Sequence, residues 1–319
     1  MPYLGLEIGG TKLQLGLGGG DGTITRLVRL QVDPPRGAEG IRAQIVEAFR
    51  EMNTEVSAIG IGFGGPVDGN RGVVTKSNQI EGWDGFPLVD WVRSTLGVEN
   101  VTLQNDADTA ALGEARFGAG KGLSPVLYVN SGSGIGGGLI VDGTIYRGSG
   151  VGAIEIGHLW IAAAACDGSL AEHGRLEDLA SGWGIARAGR GIVANADKGY
   201  EQSYLTHLCD GDPAKVTAAM VAQAVRNRCI QSGLVLDKAT TAMGIALAHA
   251  VTLLAPRLVI LGGGVSLIDE DLWLEPIRRA LDERVFPPFR GTFDIVTAAL
   301  GEDVVVHGAL ALARDTRPQ

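Results

Sequence analysis

A strand, a glycine-rich bend and a second strand occur twice in this chain, at residues 4–17 (LGLEIGGTKLQLGL) and again at residues 126–141 (VLYVNSGSGIGGGLIV). Each copy ends in a further tight turn, Gly18 to Gly22 after the first and Asp142-Gly143 after the second. No helix follows either bend. A dinucleotide fingerprint needs its glycines to open a helix, and a Walker loop needs Gly-Lys-Ser/Thr at a helix start, so neither applies. What is left is a hairpin whose N–H groups, bare because glycine has no side chain, form an anion-binding concavity. A chain with 49 glycines has many plain turns, but the same order of strands and turns in both copies reads as a duplicated architecture. The pattern predicts a phosphate site split between two halves.

The length of 319 residues suits one large or two medium domains, and 45% hydrophobic with 20% charged residues is a globular balance. A net charge of −9, with no basic run longer than an isolated pair such as Arg278-Arg279, excludes a nonspecific grip on nucleic acid or an anionic membrane. The start, Met-Pro-Tyr-Leu-Gly, has no basic leader and no 18-residue apolar run stands out, so a soluble cytoplasmic protein is expected. Cys166, Cys209 and Cys229 are scattered, with no CxxC pair, which fits a reducing compartment and no disulfide framework.

Residues 23–32 read as a third strand, and residues 37–53 have helical spacing through Ile41, Ile45, Ala48 and Phe49. Residues 57–63 form a buried strand ending in Gly64-Gly65-Pro66. A helix at 87–96, a strand at 101–104 and a helix from about Asp108 to Phe117 follow. From Val126 the three-strand meander recurs. Helical patterns at 216–234 and 238–254, a strand at 257–261, a helix at 272–285, a strand at 293–298 and a helix at 306–314 complete the chain. The fold class is α/β, with an antiparallel three-strand edge in each half.

Along its whole length the chain resembles the superfamily of sugar kinases, heat-shock ATPases and actin, and more narrowly the ROK family of bacterial sugar kinases and repressors. The motifs that carry the resemblance are Glu7-Ile-Gly-Gly-Thr-Lys12, Gly64-Gly65-Pro66-Val67, Asn105-Asp106-Ala107, Ser131-Gly-Ser-Gly-Ile135, Glu155-Ile-Gly-His158, Leu176-Glu177 with Ala180-Ser181-Gly182, and Leu261-Gly-Gly-Gly264. The resemblance implies two ribonuclease H-like (actin-type ATPase) domains facing across a cleft. One would hold residues 1–115 plus about 303–319, and the other residues 116–302. It also implies a homo-oligomer, a dimer or tetramer, and an enzyme whose closing domains exclude water.

Phosphoryl transfer to a hydroxyl demands a base, a phosphate cradle and a divalent cation. Asp106 follows a strand and precedes a helix, where open α/β sheets put their ligands, and is assigned as general base. The rival reading, that Asp106 caps that helix, competes with Asp108, which is itself available as a cap. Asn and Glu with one His suit paired hydrogen bonds to hydroxyls. The resemblance carries Asn78, Asn105, Asp106, Glu155, His158 and Glu177 onto a hexose site, with backbone from Gly65. It places Gly9, Gly10, Thr11 and Lys12 on the terminal phosphates of ATP, and Ser131, Gly132, Ser133 and Gly134 opposite them. Gly262, Gly263 and Gly264 would border the adenosine. Lys12 has the alternative of facing solvent from its strand.

Two departures from the family stand out. Relatives carry Asp at the position of Glu7, where the carboxylate helps hold magnesium through water, and the longer Glu implies a reduced rate or altered metal preference. Between His158 and Glu177, relatives carry three cysteines that complete a structural zinc site with the His. Here Gly168, Leu170 and Arg175 stand in those places and Cys166 lies outside the pattern, so no structural zinc is expected. The expected activity is phosphorylation of a hexose by ATP with magnesium, glucose being the family's commonest substrate, at its 6-hydroxyl. Another hexose, an N-acetylhexosamine, or a weakened sugar-binding sensor are the alternatives, and polyphosphate is an open alternative donor. A repressor would need a helix-turn-helix before the first hairpin, which begins here at Leu4.

Overall fold

The structure is a computed structural model and describes residues 1–77, 79–149, 152–163, 172–195 and 203–316. The chain begins β1 (Tyr3–Ile8), β2 (Lys12–Gly18), β3 (Ile24–Gln31), α1 (Gly37–Met52), β4 (Ile59–Phe63), the short strands β5 (Val67–Asp68) and β6 (Val73–Val74), α2 (Leu88–Leu96), β7 (Val101–Asn105) and α3 (Asp106–Phe117). It continues with β8 (Val126–Ser131), β9 (Ile135–Val141), β10 (Thr144–Ile145), β11 (Trp160–Ala163), β12 (Glu172–Arg175), α4 (Leu176–Ala180), α5 (Gly182–Ala194), α6 (Tyr204–Leu208), α7 (Ala218–Arg226) and α8 (Ile230–Leu254). The last elements are β13 (Leu258–Gly262), α9 (Leu274–Arg284), β14 (Asp294–Thr297) and α10 (Val304–Asp315).

Two five-stranded sheets carry the fold, in the orders β3-β2-β1-β4-β7 and β10-β9-β8-β13-β14. Each is an antiparallel meander extended by two further strands. The duplication read from the two glycine bends is thus a duplication of whole sheets. Asp142 (φ 50°) and Gly143 (φ 74°) both take positive φ between β9 and β10, the two-residue hairpin turn that matches strand twist. The chain divides into two compact units, one of Met1–Tyr128, Gly137–Ile154 and Ala298–Gln319, the other of Val129–Gly136 and Glu155–Thr297.

In the first unit the period-two pattern of the strands has one large face and one small face. Leu4, Leu6, Ile8, Leu13, Leu15, Leu17, Ile59, Ile61 and Phe63 point together into a core closed by Ile41 and Ile45 of α1 and by Trp83. Gly5, Gly16 and Gly60 alternate with them, and α10 lies on that side. A Cβ on Gly60 would stand 1.9 Å from the Ala309 carbonyl oxygen, so a side chain there is excluded by backbone. Helices α3 and α10 touch the same way, since a Cβ on Gly308 would stand 1.8 Å from the Thr109 carbonyl oxygen. The fully buried Glu114 of α3 then fixes the approach to α10. Its Oε1 accepts the N–H groups of Ala299 and Leu300, each at 2.8 Å, and its Oε2 accepts that of Ala119 at 2.8 Å.

Two helix assignments differ from the periodicity. The pattern at 216–234 ends at Arg226, where Asn227 closes the helix and Arg228 takes φ 62°. The next helix then runs unbroken over Ile230–Leu254, through the gap expected near residue 236, because Leu236 is buried and continues the apolar face. This α8 is the one helix among the described residues long and apolar enough to cross a membrane by length and composition, with a mean hydropathy of 1.3 in its best window. Most of that window, 61%, is buried inside the protein. The third helix starts at Asp106 rather than Asp108.

Replacing Gly308 by Ala is expected to lower stability by about 1–3 kcal/mol through overpacking against α3. Replacing Gly233 by Ala, in the first turn of α8 with no atom within 4 Å of its Cβ position, should raise it by about 0.5 kcal/mol through helix propensity. Urea midpoints of the two variants moving in the same direction would contradict this account of the packing.

Candidate functional site

The residues singled out from the sequence fall into two sets, one in each unit. In the first unit they gather at the carboxyl ends of the parallel strands β1, β4 and β7. The bend after β1 is closed by the Gly9 N–H donating to the Lys12 carbonyl at 2.9 Å, and the Gly64 N–H extends the ladder to the Ile8 carbonyl at 2.8 Å. Gly10 and Thr11 keep N–H groups that bond to none of the described residues, the two consecutive donors an anion needs. A Cβ on Gly64 would lie 3.4 Å from both Asp106 Oδ2 and Gly9 Cα, so the carboxylate of Asp106 stands beside this bend.

The helix cap is neither Asp106 nor Asp108. Asn105 at the end of β7 takes extended backbone, and its Oδ1 accepts the N–H groups of Ala107 at 2.8 Å and Asp108 at 3.4 Å. Its Nδ2 donates to the Gly65 carbonyl at 3.1 Å. Asn105 therefore ties the Gly64-Gly65 turn to the head of α3, while Asp106 in the first helical turn directs Oδ1 to the Ala107 N–H at 2.8 Å.

Glu7 is the other carboxylate of this set. It is 8% exposed on the glycine side of β1, opposite Gln14 of β2. Its Oε1 pairs with Lys12 Nζ at 3.1 Å, whereas Oε2 is buried and has no hydrogen-bond partner among the described residues. Lys12 Nζ also donates to the Glu302 carbonyl at 2.9 Å, so Lys12 faces neither solvent alone nor the bend. Gln14 Nε2 donates to Asp303 Oδ1 at 3.1 Å, and Arg29 Nη2 donates to both oxygens of Asp303 at 2.9 and 2.8 Å. Burial pushes the Glu7 carboxyl up to about 7. Lys12 pulls it down, and the charges of Asp106 and Asp303 add to the rise.

The residues 302–303 were not among the sequence candidates, and nothing local marks them. Gln79 is another addition. A Cβ on Gly10 would stand 1.7 Å from Gln79 Oε1, so this carboxamide lies over the first bend. Asn78 lies outside the described residues.

In the second unit the set packs around Ile135, the first residue of β9. Ser131 is buried and its hydroxyl donates to the Ala180 carbonyl at 3.0 Å. The carbonyls of Gly132 and Ser133 accept the N–H groups of Gly182 (2.8 Å) and Trp183 (3.2 Å) at the head of α5, which anchors this bend on a helix. Ser133 and Gly134 keep N–H groups that bond to none of the described residues, as Gly10 and Thr11 do in the first bend. Glu177 Oε2 accepts the Ile135 N–H at 3.0 Å. The Glu155-to-His158 turn approaches the same residue, since a Cβ on Gly157 would stand 2.2 Å from the Ile135 carbonyl oxygen. Glu155 and His158 are exposed. The turn Gly262–Gly264 comes equally close to the bend, since Gly263 has φ 85° and a Cβ on it would stand 2.4 Å from the Ser131 carbonyl oxygen.

Cys166, Gly168 and Leu170 lie outside the described residues. Arg175 Nε pairs with Asp178 at 3.0 Å. An open groove along α1, lined by Glu39, Arg42, Val46, Glu47, Arg50 and Trp91, contains none of the candidate residues.

The model of the ROK family matches residues 3–316. The chain is 31% identical over 318 residues to a glucokinase of Thermotoga maritima, covering 99% of this chain and 98% of that one. It is 33% identical over 319 residues to a glucokinase of Streptomyces coelicolor, again covering 99% and 98%. Among solved structures, a ROK family glucokinase from Streptomyces griseus in complex with glucose and AMPPNP superposes with a TM-score of 0.82 at 31% identity, covering 98% of this chain and 99% of that one. The two five-stranded sheets are those of the actin-like ATPase fold.

Because the Glu7 carboxyl titrates near 7 when folded and near 4.5 otherwise, its contribution to stability is full below about 4.5 and is lost as pH rises through about 7. The linkage is on the order of 3 kcal/mol at most. Glu7→Gln should flatten the fall in urea midpoint between pH 5 and 8. A variant with the same slope as the parent would rule Glu7 out as its source.

Proposed function

This chain belongs to the ROK family and is an ATP-dependent sugar kinase, and on that premise we propose that its acceptor is glucose, phosphorylated at the 6-hydroxyl with Asp106 as general base. The observation that carries the reading is the position of Asp106, at the carboxyl end of β7 and beside the bend whose Gly10 and Thr11 N–H groups are unengaged. A base must lie within hydrogen-bonding reach of the hydroxyl while the phosphoryl group is held in line, and this corner of the first unit offers both. The glucokinase relatives, and glucose in the solved complex, favour glucose over other hexoses.

Asp106 takes the proton of the attacking hydroxyl at its carboxylate. Gly10 and Thr11 N–H groups cradle the terminal phosphates, and the Ser133 and Gly134 N–H groups are the second unit's own pair of anion donors. Glu155, His158 and Glu177 grip the sugar hydroxyls, Glu177 through the oxygen not given to Ile135. Asn105 acts mainly by holding Gly65 and the head of α3, and its spare amide hydrogen remains for the sugar. Gly262 to Gly264 border the adenosine. Magnesium supplies neutralisation of phosphate charge in such a transfer, and Glu7 is the residue that fits it. Its Oε2 is buried without a partner among the described residues, and as an outer-sphere ligand Glu7 would tolerate its extra methylene relative to Asp.

An ADP-coupled assay over glucose, mannose, fructose, allose, N-acetylglucosamine and N-acetylmannosamine should give the highest kcat/KM with glucose. Asp106→Asn should lower kcat by roughly 10²- to 10⁴-fold and leave the sugar KM nearly unchanged. Sugar binding with no ADP release in any lane would instead identify a sensor. A different preferred hexose would overturn the assignment of glucose alone.

A further inference from the structure

Lys12 sits where its charge has a use other than holding phosphate. Its ammonium is 3.1 Å from Glu7 Oε1 and donates to the Glu302 carbonyl at 2.9 Å. Glu7 is buried on the glycine side of the sheet, within the field of two further carboxylates, Asp106 and Asp303. Asp303 is already balanced by Arg29 and Gln14. The Glu7 carboxylate has Lys12 as its ion-pair partner, yet only one of its oxygens is used. The other, Oε2, is buried and orphaned, and an orphaned carboxylate oxygen costs the desolvation that its partner would offset. Oε2 is therefore an open position at which Glu7 can take a second partner. A second cation there cannot share the corner with the ammonium, because two cations a few ångströms apart in a low-dielectric site repel strongly.

We propose that Lys12 is the resident counter-cation of a divalent-metal position at Glu7: its ammonium occupies the carboxylate while metal is absent and moves toward the nucleotide phosphates when magnesium arrives with ATP. The inference rests on the reading of the chain as an ATP-dependent kinase. The exchange balances charge at each end. A divalent cation replaces a monovalent one at Glu7, and the released ammonium meets the negative phosphates held at Gly10 and Thr11. The stem of Lys12 permits the movement, since its side chain is 34% exposed and its remaining tie is one hydrogen bond to a carbonyl. One consequence separates this role from that of a simple phosphate clamp. Lys12 suppresses binding of metal by itself, so that the position fills only together with nucleotide.

The test is a titration of the full chain with Mn²⁺ alone, without ATP or sugar, following the EPR signal of the free ion. Lys12→Met should bind Mn²⁺ roughly tenfold more tightly than the parent, because the competing ammonium is gone and the carboxylate is retained. Lys12→Arg should stay with the parent, and adding Glu7→Gln to Lys12→Met should abolish the gain. Lys12→Gln, which can keep the bond to the Glu302 carbonyl, gives the same reading if the Met variant does not fold. In the coupled assay Lys12→Met should also raise the KM for ATP and leave that for the hexose unchanged. Affinity for Mn²⁺ that is equal to or weaker than the parent's, or a gain that survives Glu7→Gln, would overturn the proposal. Neither nucleotide nor sugar enters the titration, so its failure is distinct from a failure of the kinase reading, which shows as absence of ADP release in the parent.

Discussion

The close approach of α10 to the first sheet is the contact on which the rest of the first unit depends. It requires one face of β1, β2 and β4 to be glycine where the helix crosses, and the other face to be large and apolar. The large face stabilises the sheet by burial, at about 25 cal/mol per Å² of apolar surface. The small face brings a helix backbone to within contact of strand backbone, which no alanine at Gly60 would allow. At the rim of that small face the glycines give way to Glu7 and Gln14, where Glu302 and Asp303 meet them just before α10. The charged corner of the site is thus a by-product of how the helix lies on the sheet.

Two buried carboxylates in this unit are treated in opposite ways. Glu114 receives three backbone N–H groups, and its charge is spent on holding residues 299–300 against α3. Glu7 receives a single ammonium and keeps a buried oxygen without a partner among the described residues, and burial pushes its carboxyl up to about 7 against the pull of Lys12. A fully satisfied carboxylate is a structural element, whereas a half-satisfied one is poised to exchange its cation. The two are linked through the chain, since Glu114 fixes the segment from which Glu302 and Asp303 reach Lys12, Gln14 and Arg29.

Much of this was legible in the sequence. The alternation Leu-Gly-Leu in β1 and Ile-Gly-Ile in β4 announces strands with unlike faces, and the two glycine bends announced two equivalent sheets. The motif residues of each unit do converge within that unit, because motif spacing reflects strand ends and turns, which are local. The helix cap was misplaced by periodicity because an N-cap is chosen by backbone geometry. Asn105 leaves β7 in extended conformation with its side chain over the first turn, which puts it ahead of both aspartates. The break between α7 and α8 was likewise decided by one left-handed residue, Arg228, that no apolar pattern marks.

By itself the sequence determined the strand-bend-strand repeat, the α/β class, and the residue types able to bind anions and grip hydroxyls, because these depend on periodicity and side-chain chemistry over a few residues. Only the tertiary structure decided the partners of those side chains. Lys12 and Glu302 are 290 residues apart, Gln14 and Asp303 nearly as far, and Gln79 covers Gly10 from a separate loop. Whether a lysine next to a glycine bend faces phosphate, solvent or a carboxylate depends on which backbone carbonyl and which acid the folded chain brings within 3 Å of its ammonium. Local spacing carries no information about that.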